Sequence, residues 1–150
     1  MIQDSATQAI DYKTVFKQSP GVAYLMSPSF EILDVSDGAV ETTGRDRGDL
    51  IGRNFFDAFP ANPRAPEDTG PRKLRAELAR AVRSGDRAVM KLDQYDVEDP
   101  GRPGVFEERF WSGVATPIRD DGGQVVAVVL WGYDTTPIVS QFWAQAAAQG

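Results

Sequence analysis

The chain has 150 residues, 41% hydrophobic and 25% charged, with 14 glycines and 10 prolines. That is single-domain size, and such a chain buries about two-thirds of its unfolded surface with no metal or disulfide staple. A formal charge of −6 disfavours nucleic acid or an anionic membrane surface as the main partner. Histidine and cysteine are both absent, which removes Ser-His-Asp and Cys-His nucleophiles, thiolate chemistry, disulfides, Cys/His zinc sites and imidazole-ligated haem.

Carboxylates, hydroxyls, Lys, Tyr and oxygen-ligand metals remain for any chemistry. No apolar run reaches the length of about 18 residues that a membrane span needs, and the N-terminus lacks the basic-then-apolar order of a signal peptide. A cytoplasmic location is therefore expected. Residues 1–8 are polar and expected to be flexible, after which Ala9, Tyr12 and Phe16 recur at helical spacing up to Ser19-Pro20-Gly21. Val22 to Met26 and Phe30 to Val35 read as a hairpin turned by Ser27-Pro28-Ser29. Short helices follow: Asp37 is placed to cap Gly38 to Thr43, Gly44 stops that helix, and Asp46 or Asp49 starts a turn around Leu50-Ile51.

Pro60, Pro63, Pro66 and Gly70 make an irregular connection to the clearest helix, which Pro71 opens and Gly85 closes. Leu74, Leu78, Ala81 and Val82 form its apolar stripe, and Arg72, Lys73, Arg75, Arg80 and Arg83 form a solvated face. Three strands are predicted next, Ala88 to Val97, Phe106 to Ile118 and Gln124 to Tyr133, joined through Asp99-Pro100-Gly101 with Pro103-Gly104 and through Asp120-Asp121-Gly122-Gly123. Asp93, Asp96, Glu98 and Asp99 lack the spacing of a calcium loop and read as a solvated hairpin end. Glu107 and Glu108 alternate to opposite faces and cannot form one carboxylate pair. Thr136-Pro137 reads as N-cap and first turn of a last helix with Val139, Phe142, Trp143 and Ala146 on one face. The elements add up to an α+β domain, a five-stranded antiparallel sheet with helices on one face.

Several segments, taken in order, look like one known family. They are Phe16-Lys17-Gln18-Ser19-Pro20, Ile32-Leu33-Asp34-Val35, Thr43-Gly44-Arg45, Leu50-Ile51-Gly52-Arg53 and Phe55-Phe56-Asp57-Ala58-Phe59-Pro60. Tyr95-Asp96-Val97, Phe106-Glu107-Glu108-Arg109-Phe110-Trp111, Pro117-Ile118-Arg119-Asp120 and Asp134-Thr135-Thr136 complete them. Over roughly residues 12–136 their order and spacing resembles the PAS sensory domains, of the branch common in bacterial sensor histidine kinases and signalling proteins. Ser36 stands where the family usually has Asn, Thr135 where it has Val or Ile, and Ala115 where a polar residue is frequent.

The resemblance implies a PAS fold over residues 9–136, with short helices and one longer helix on one sheet face and a flanking helix over 137–149. It implies a non-catalytic sensory domain of two-component type that binds a small ligand or a partner and relays it through terminal helices. Resembling domains hold haem, flavin or metabolites between the inner sheet face and the short-helix layer. Haem-binding members use a His in the long helix, and covalent flavin or yellow photosensors use a Cys; this chain has neither, so no cofactor and no metal is expected. Non-covalent flavin remains open, although it needs polar partners that the apolar last strand does not visibly offer.

With the family's inward parity, counting back from Asp134 turns Gly132, Leu130, Val128 and Val126 inward and Val129, Trp131 and Tyr133 outward. Met26, Phe55, Leu74, Leu78, Met90, Trp111, Val128 and Leu130 are the candidate ligand-lining residues, though they read more readily as a plain filled core. An aromatic outer face needs covering, by Tyr12 and Phe16 of the first helix and Phe142 and Trp143 of the last, from the same chain or a second copy; a homodimer is expected. Asp134 and Thr136 are the expected relay, the Thr hydroxyl capping the helix and Asp134 pairing with an arginine. The alternatives are a docking or dimerisation module with a filled core, and a small hydrolase or isomerase with a carboxylate base opposite Tyr24 or Tyr95. The sequence carries no kinase, cyclase or DNA-binding segment after the last helix, so any signal is expected to leave through an output domain or a partner protein.

Overall fold

The computed structural model describes residues 9–65 and 70–150; the expectations for residues 1–8 and for Pro66 lie outside the described residues. In chain order the elements are α1 (Tyr12–Lys17), β1 (Val22–Met26), β2 (Ile32–Val35), α2 (Asp37–Thr43), α3 (Arg47–Leu50), α4 (Phe55–Ala58) and α5 (Gly70–Ser84). They continue with β3 (Ala88–Gln94), β4 (Val97–Glu98), β5 (Phe106–Glu107), β6 (Phe110–Arg119), β7 (Val125–Asp134) and α6 (Thr136–Gln149). Five strands form one antiparallel sheet in the order β2-β1-β7-β6-β3, while β4 and β5 pair separately. This is the expected α+β architecture, and the last strand lies at the sheet's centre, where both neighbours hold it.

Local chemistry places most boundaries. Asp11 caps α1 by accepting from the Lys13 amide. Gly85 ends α5 at φ 73°, a left-handed conformation that costs glycine little, and its carbonyl accepts from Arg119 at 2.8 Å. The cap of α2 is Ser36, not Asp37: the Ser36 hydroxyl accepts from the Ala39 amide, whereas Asp37 turns to the Arg47 guanidinium at 2.6 Å. Phe30 does not extend β2, because it adopts φ 73° at the end of the Ser27-Pro28-Ser29 turn.

The two long strands expected at 88–97 and 106–118 are each broken. The Asp96 carboxylate causes this: expected at a solvated hairpin end, it is buried and accepts from Asn62, from Gln94 and from the Arg109 amide. Holding those three donors pulls the chain out of the β3–β6 ladder, and the remainder pairs as the short β4–β5 ribbon. Thr136 is not the N-cap of α6 either; Thr135 occupies that place.

The core joins the inner sheet face to the short helices, with Met26, Ile32, Leu50, Leu78, Val35 and Val128 fully buried. The α5 stripe points there as expected: Leu78 and Ala81 are buried, Leu74 and Val82 half-buried, and the five basic residues exposed. Outward, Phe16 packs edge-on against Trp131 at 6.3 Å between ring centroids. Tyr12, Phe142 and Trp143 do not cover the sheet within this chain; they are 80%, 67% and 64% exposed, and α6 buries none of its residues. Val126 is also exposed, at 47%. It keeps the inward parity but lies past the irregular register at Ile118/Arg119, near the strand's start.

Candidate ligand-binding site

A cavity of about 650 Å³ lies between the inner sheet face, α5 and the α4 aromatics, within the range of small-molecule sites. On the sheet side it is bordered by Trp111, Leu130 and Gly132, and Gly132 pairs across the β6–β7 ladder with Gly113. Gly132 brings no side chain to that wall, where an added Cβ would lie 3.6 Å from Trp111 and 3.7 Å from Val22. Gly113 is also obligatory, since a Cβ would lie 2.6 Å from the Trp131 carbonyl oxygen and 3.0 Å from the Met90 methyl.

Of the eight candidate lining residues, the structure brings Phe55, Leu74, Met90, Trp111 and Leu130 to the cavity wall. Met26, Leu78 and Val128 are not there; all three are fully buried in packed core. The register explains the division. Met26 pairs with Val128 at one end of β1, while Val22 pairs with Gly132 at the other, and the cavity follows the glycine end.

The lining candidates left out Tyr24, Thr43, Phe59 and Tyr95, which also line the wall, although Tyr24 and Tyr95 are named in the enzyme alternative. A signal existed for two of them, because Tyr24 shares the parity of Met26 and Phe59 stands one helical turn after Phe55. Tyr24, Phe55 and Phe59 form a ring cluster with centroids 5.0 to 5.6 Å apart, Tyr24 edge-to-face on both phenylalanines and the Phe55–Phe59 pair tilted at 45°. The Tyr95 hydroxyl donates to the Phe59 carbonyl at 2.5 Å and the Trp111 indole N–H to the Tyr95 carbonyl at 3.0 Å. At the mouth, Lys73 of α5 pairs with Asp93 of β3 at 3.3 Å and Arg80 with Glu77.

Burial pushes the Tyr24 phenol well above its ordinary value, against smaller opposing effects of a hydrogen bond with Thr43 and the Arg45 charge. The folded chain therefore holds this proton more tightly than the unfolded chain does. The associated stability is whole below about pH 10 and is lost as pH rises above it, where the unfolded phenol ionises first. Urea unfolding between neutral and strongly alkaline pH is expected to show this loss, and Tyr24→Phe to flatten it; equal slopes in the two proteins would refute the assignment.

The junction into α6 is a polar knot around Arg109. Its guanidinium donates to Asp134 at 2.6 Å, to Glu107 at 2.7 Å and to the Thr42 carbonyl at 3.5 Å, so it ties α2 and β5 to the end of β7. These carboxylates hold Arg109 above its ordinary value although burial opposes them. Asp134 thus meets an arginine, as expected, but it also caps the helix by accepting from the Thr136 amide at 2.9 Å. The Thr136 hydroxyl does not cap; it accepts from the Phe110 amide of β6 at 2.9 Å.

The sheet order, the cavity on its inner face and this junction coincide with a sequence-level match: the PAS-fold family model covers residues 16–138. The chain belongs to the PAS-fold family. Domains of this family are sensory, ligand-binding or signalling modules and generally non-catalytic. No curated protein matches this PAS domain in sequence. Among solved structures, a PAS domain from Colwellia psychrerythraea is 17% identical with a TM-score of 0.61, over 91% of this chain and 99% of that one. An RNA-binding light-oxygen-voltage receptor is 16% identical with a TM-score of 0.65, over 92% of this chain and 36% of that one. The Vibrio cholerae VqmA dimer, in the absence of its target DNA, is 20% identical with a TM-score of 0.58, over 86% of this chain and 53% of that one. The PAS domain thus spans about half of VqmA and about a third of the light-oxygen-voltage receptor, and at these identities the likeness is one of fold.

Proposed function

We propose that this PAS domain is a non-catalytic sensor in which a small, mostly apolar ligand enters between α5 and β3 and alters how α6 leaves the sheet. The cavity carries the reading: a space of about 650 Å³ walled by aromatic and aliphatic side chains is what a ligand site needs and what a filled docking core lacks. The relay runs from Trp111, in the wall, to Asp134, its partner across the β6–β7 ladder, and on to Thr136. A ligand that shifts β6 therefore strains the Arg109–Asp134 knot.

A second copy of the chain is the proposed cover for the outer surface. Tyr133, Ile138, Phe142 and Trp143 are exposed large apolar side chains on β7 and α6, and α6 carries no charged residue, so two copies meet there without like-charge repulsion. The acidic balance of −6 favours a small molecule and a protein over nucleic acid as partners. Among the described residues no helix is long and apolar enough to cross a membrane. A hydrolase or isomerase finds no support, because Glu77 and Asp93 are paired at the mouth and the buried Asp34 and Asp96 are engaged by backbone or side-chain donors.

Native mass spectrometry of the purified protein tests both parts at once. A dimer carrying extra small-molecule mass is expected, and Leu74→Trp, which narrows the wall, is expected to lose that mass while remaining folded. A bare monomer, together with no shift of cavity-residue NMR signals against a library of small apolar compounds, would overturn the proposal.

A further inference from the structure

The cavity wall holds two kinds of aromatic surface. Tyr24, Phe55, Phe59 and Tyr95 already pack on one another, Phe55 meeting each of the other three at 5.0 to 6.5 Å between ring centroids. Trp111, half-buried in the same wall, stands apart: among the described residues no ring packs on its indole and no cation lies over it. The indole is nevertheless held in place. Its N–H donates to the Tyr95 carbonyl at 3.0 Å, and its six-membered ring lies 3.6 Å from where a Cβ on Gly132 would sit. The ring is therefore fixed at both ends before a ligand arrives, and with its one donor committed it offers the cavity π surface.

The border carries no group that would hold a charged ligand. Its two carboxylates, Glu77 and Asp93, pair with Arg80 and Lys73, so neither is left to neutralise a cation inside. Lys91, exposed on the edge strand, is the rim cation without an ion pair among the described residues, and water and salt screen it from an anion.

We infer that the ligand of this cavity is an uncharged aromatic ring and that Trp111 is the residue that selects it. This rests on the ligand-binding reading above and names its chemical class. A saturated ring gains only from leaving water, whereas an aromatic ring also meets the indole through complementary face and edge charge. An indole already fixed loses little side-chain freedom on binding. The contact also places the ligand against the residue that pairs with Asp134 across the β6–β7 ladder, so the selecting side chain is the first in the path to α6.

The test uses the full chain and four probes at neutral pH, titrated by NMR into the millimolar range: benzyl alcohol, cyclohexylmethanol, benzylamine and benzoate. Cyclohexylmethanol is the more apolar of the two alcohols, so burial alone ranks it first. Benzyl alcohol is expected to bind about fivefold more tightly than cyclohexylmethanol, and more tightly than either charged probe. Nuclear Overhauser contacts from its ring protons to the Trp111 indole are expected with it. Trp111→Phe keeps a ring and is expected to keep the aromatic preference; Trp111→Leu is expected to reverse it. Should Trp111→Leu fail to fold, the ranking in the unaltered protein and the ring contacts decide. Equal affinities of the two alcohols, tighter cyclohexylmethanol, tighter benzylamine or benzoate, ring contacts that miss Trp111, or a preference that survives in folded Trp111→Leu would overturn this inference and leave ligand binding standing. Failure of all four probes to move any cavity-residue signal would overturn the ligand reading, and this inference with it.

Discussion

Gly38→Ala is expected to destabilise the domain by about 3 kcal/mol or more. A Cβ at this position would lie 2.1 Å from the Pro20 carbonyl oxygen and 2.4 Å from that of Gly21. Both obstacles are backbone, so no rotamer change relieves them. Gly38 lies in the first turn of α2 and its amide donates to the Ser19 carbonyl at 3.1 Å, which presses the helix onto the strap leading into β1. Relief requires lifting α2 off the strand that supplies Val22 and Tyr24 to the cavity. Against a total stability of about 5–15 kcal/mol, such a loss is large. Gly48→Ala is the matched control: nothing lies within 4 Å of its added methyl, and replacing glycine in a helix is neutral or stabilising by up to about 1 kcal/mol. Urea unfolding of the three proteins, with unchanged m-values, reads the difference. A Gly38→Ala loss as small as the control's would show that the close approach does not govern stability.

Ser36→Ala is expected to cost about 2–4 kcal/mol, the sum of a lost helix cap and a stranded buried amide. The Ser36 hydroxyl accepts from the Ala23 amide at 2.9 Å and the Ala39 amide at 3.2 Å, and donates to the Gly21 carbonyl at 2.6 Å. Ala23 and Ala39 have no solvent exposure, so water cannot replace the missing oxygen; Gly21 is exposed and its carbonyl can be hydrated. Alanine keeps the volume and removes only the bonds, which isolates their contribution. Denaturant midpoints give the loss, and hydrogen exchange at Ala23 is expected to accelerate in the variant. Protection unchanged at Ala23 would mean that another acceptor had taken over. This residue is one of the departures from the usual family pattern, where Asn stands, and its three bonds show how a shorter side chain still joins β1 to α2.

The fold was legible because its signals are local. Val22 to Met26 coincide with β1, the Leu74/Leu78/Ala81/Val82 stripe faces the core, and Gly85 and Gly123 turn where left-handed backbone is needed. Alternation along the last strand turned Leu130 and Gly132 to the cavity side. Boundaries failed where a side chain reaches a distant partner. Asp96 breaks two strands by collecting donors from Asn62 and Arg109, and sequence spacing alone does not bring those together.

The candidate site was less legible than the fold. Periodicity reports which face a residue turns to, and Met26, Leu78 and Val128 do turn inward; whether an inward residue meets a neighbour or a void depends on how elements from different parts of the chain approach one another. Here the cavity lies at the Val22–Gly132 end of the β1–β7 ladder and packed core at the Met26–Val128 end. The same limit applies to the relay. Asp134 and Thr136 were identifiable, yet which one caps α6 and which one reaches β6 follows from the height of β6 beside the helix start.

The sequence by itself determined the order of elements, the faces of β1, β7 and α5, the family likeness, and, through the missing His and Cys, the chemistry this domain does without. Only the tertiary structure decided where the cavity opens, that α6 stays unburied, and that Arg109 binds three elements at the exit. Composition and periodicity are properties of neighbours along the chain, whereas cavities and polar knots are made by residues far apart in sequence, and their energies depend on distances that only folding sets.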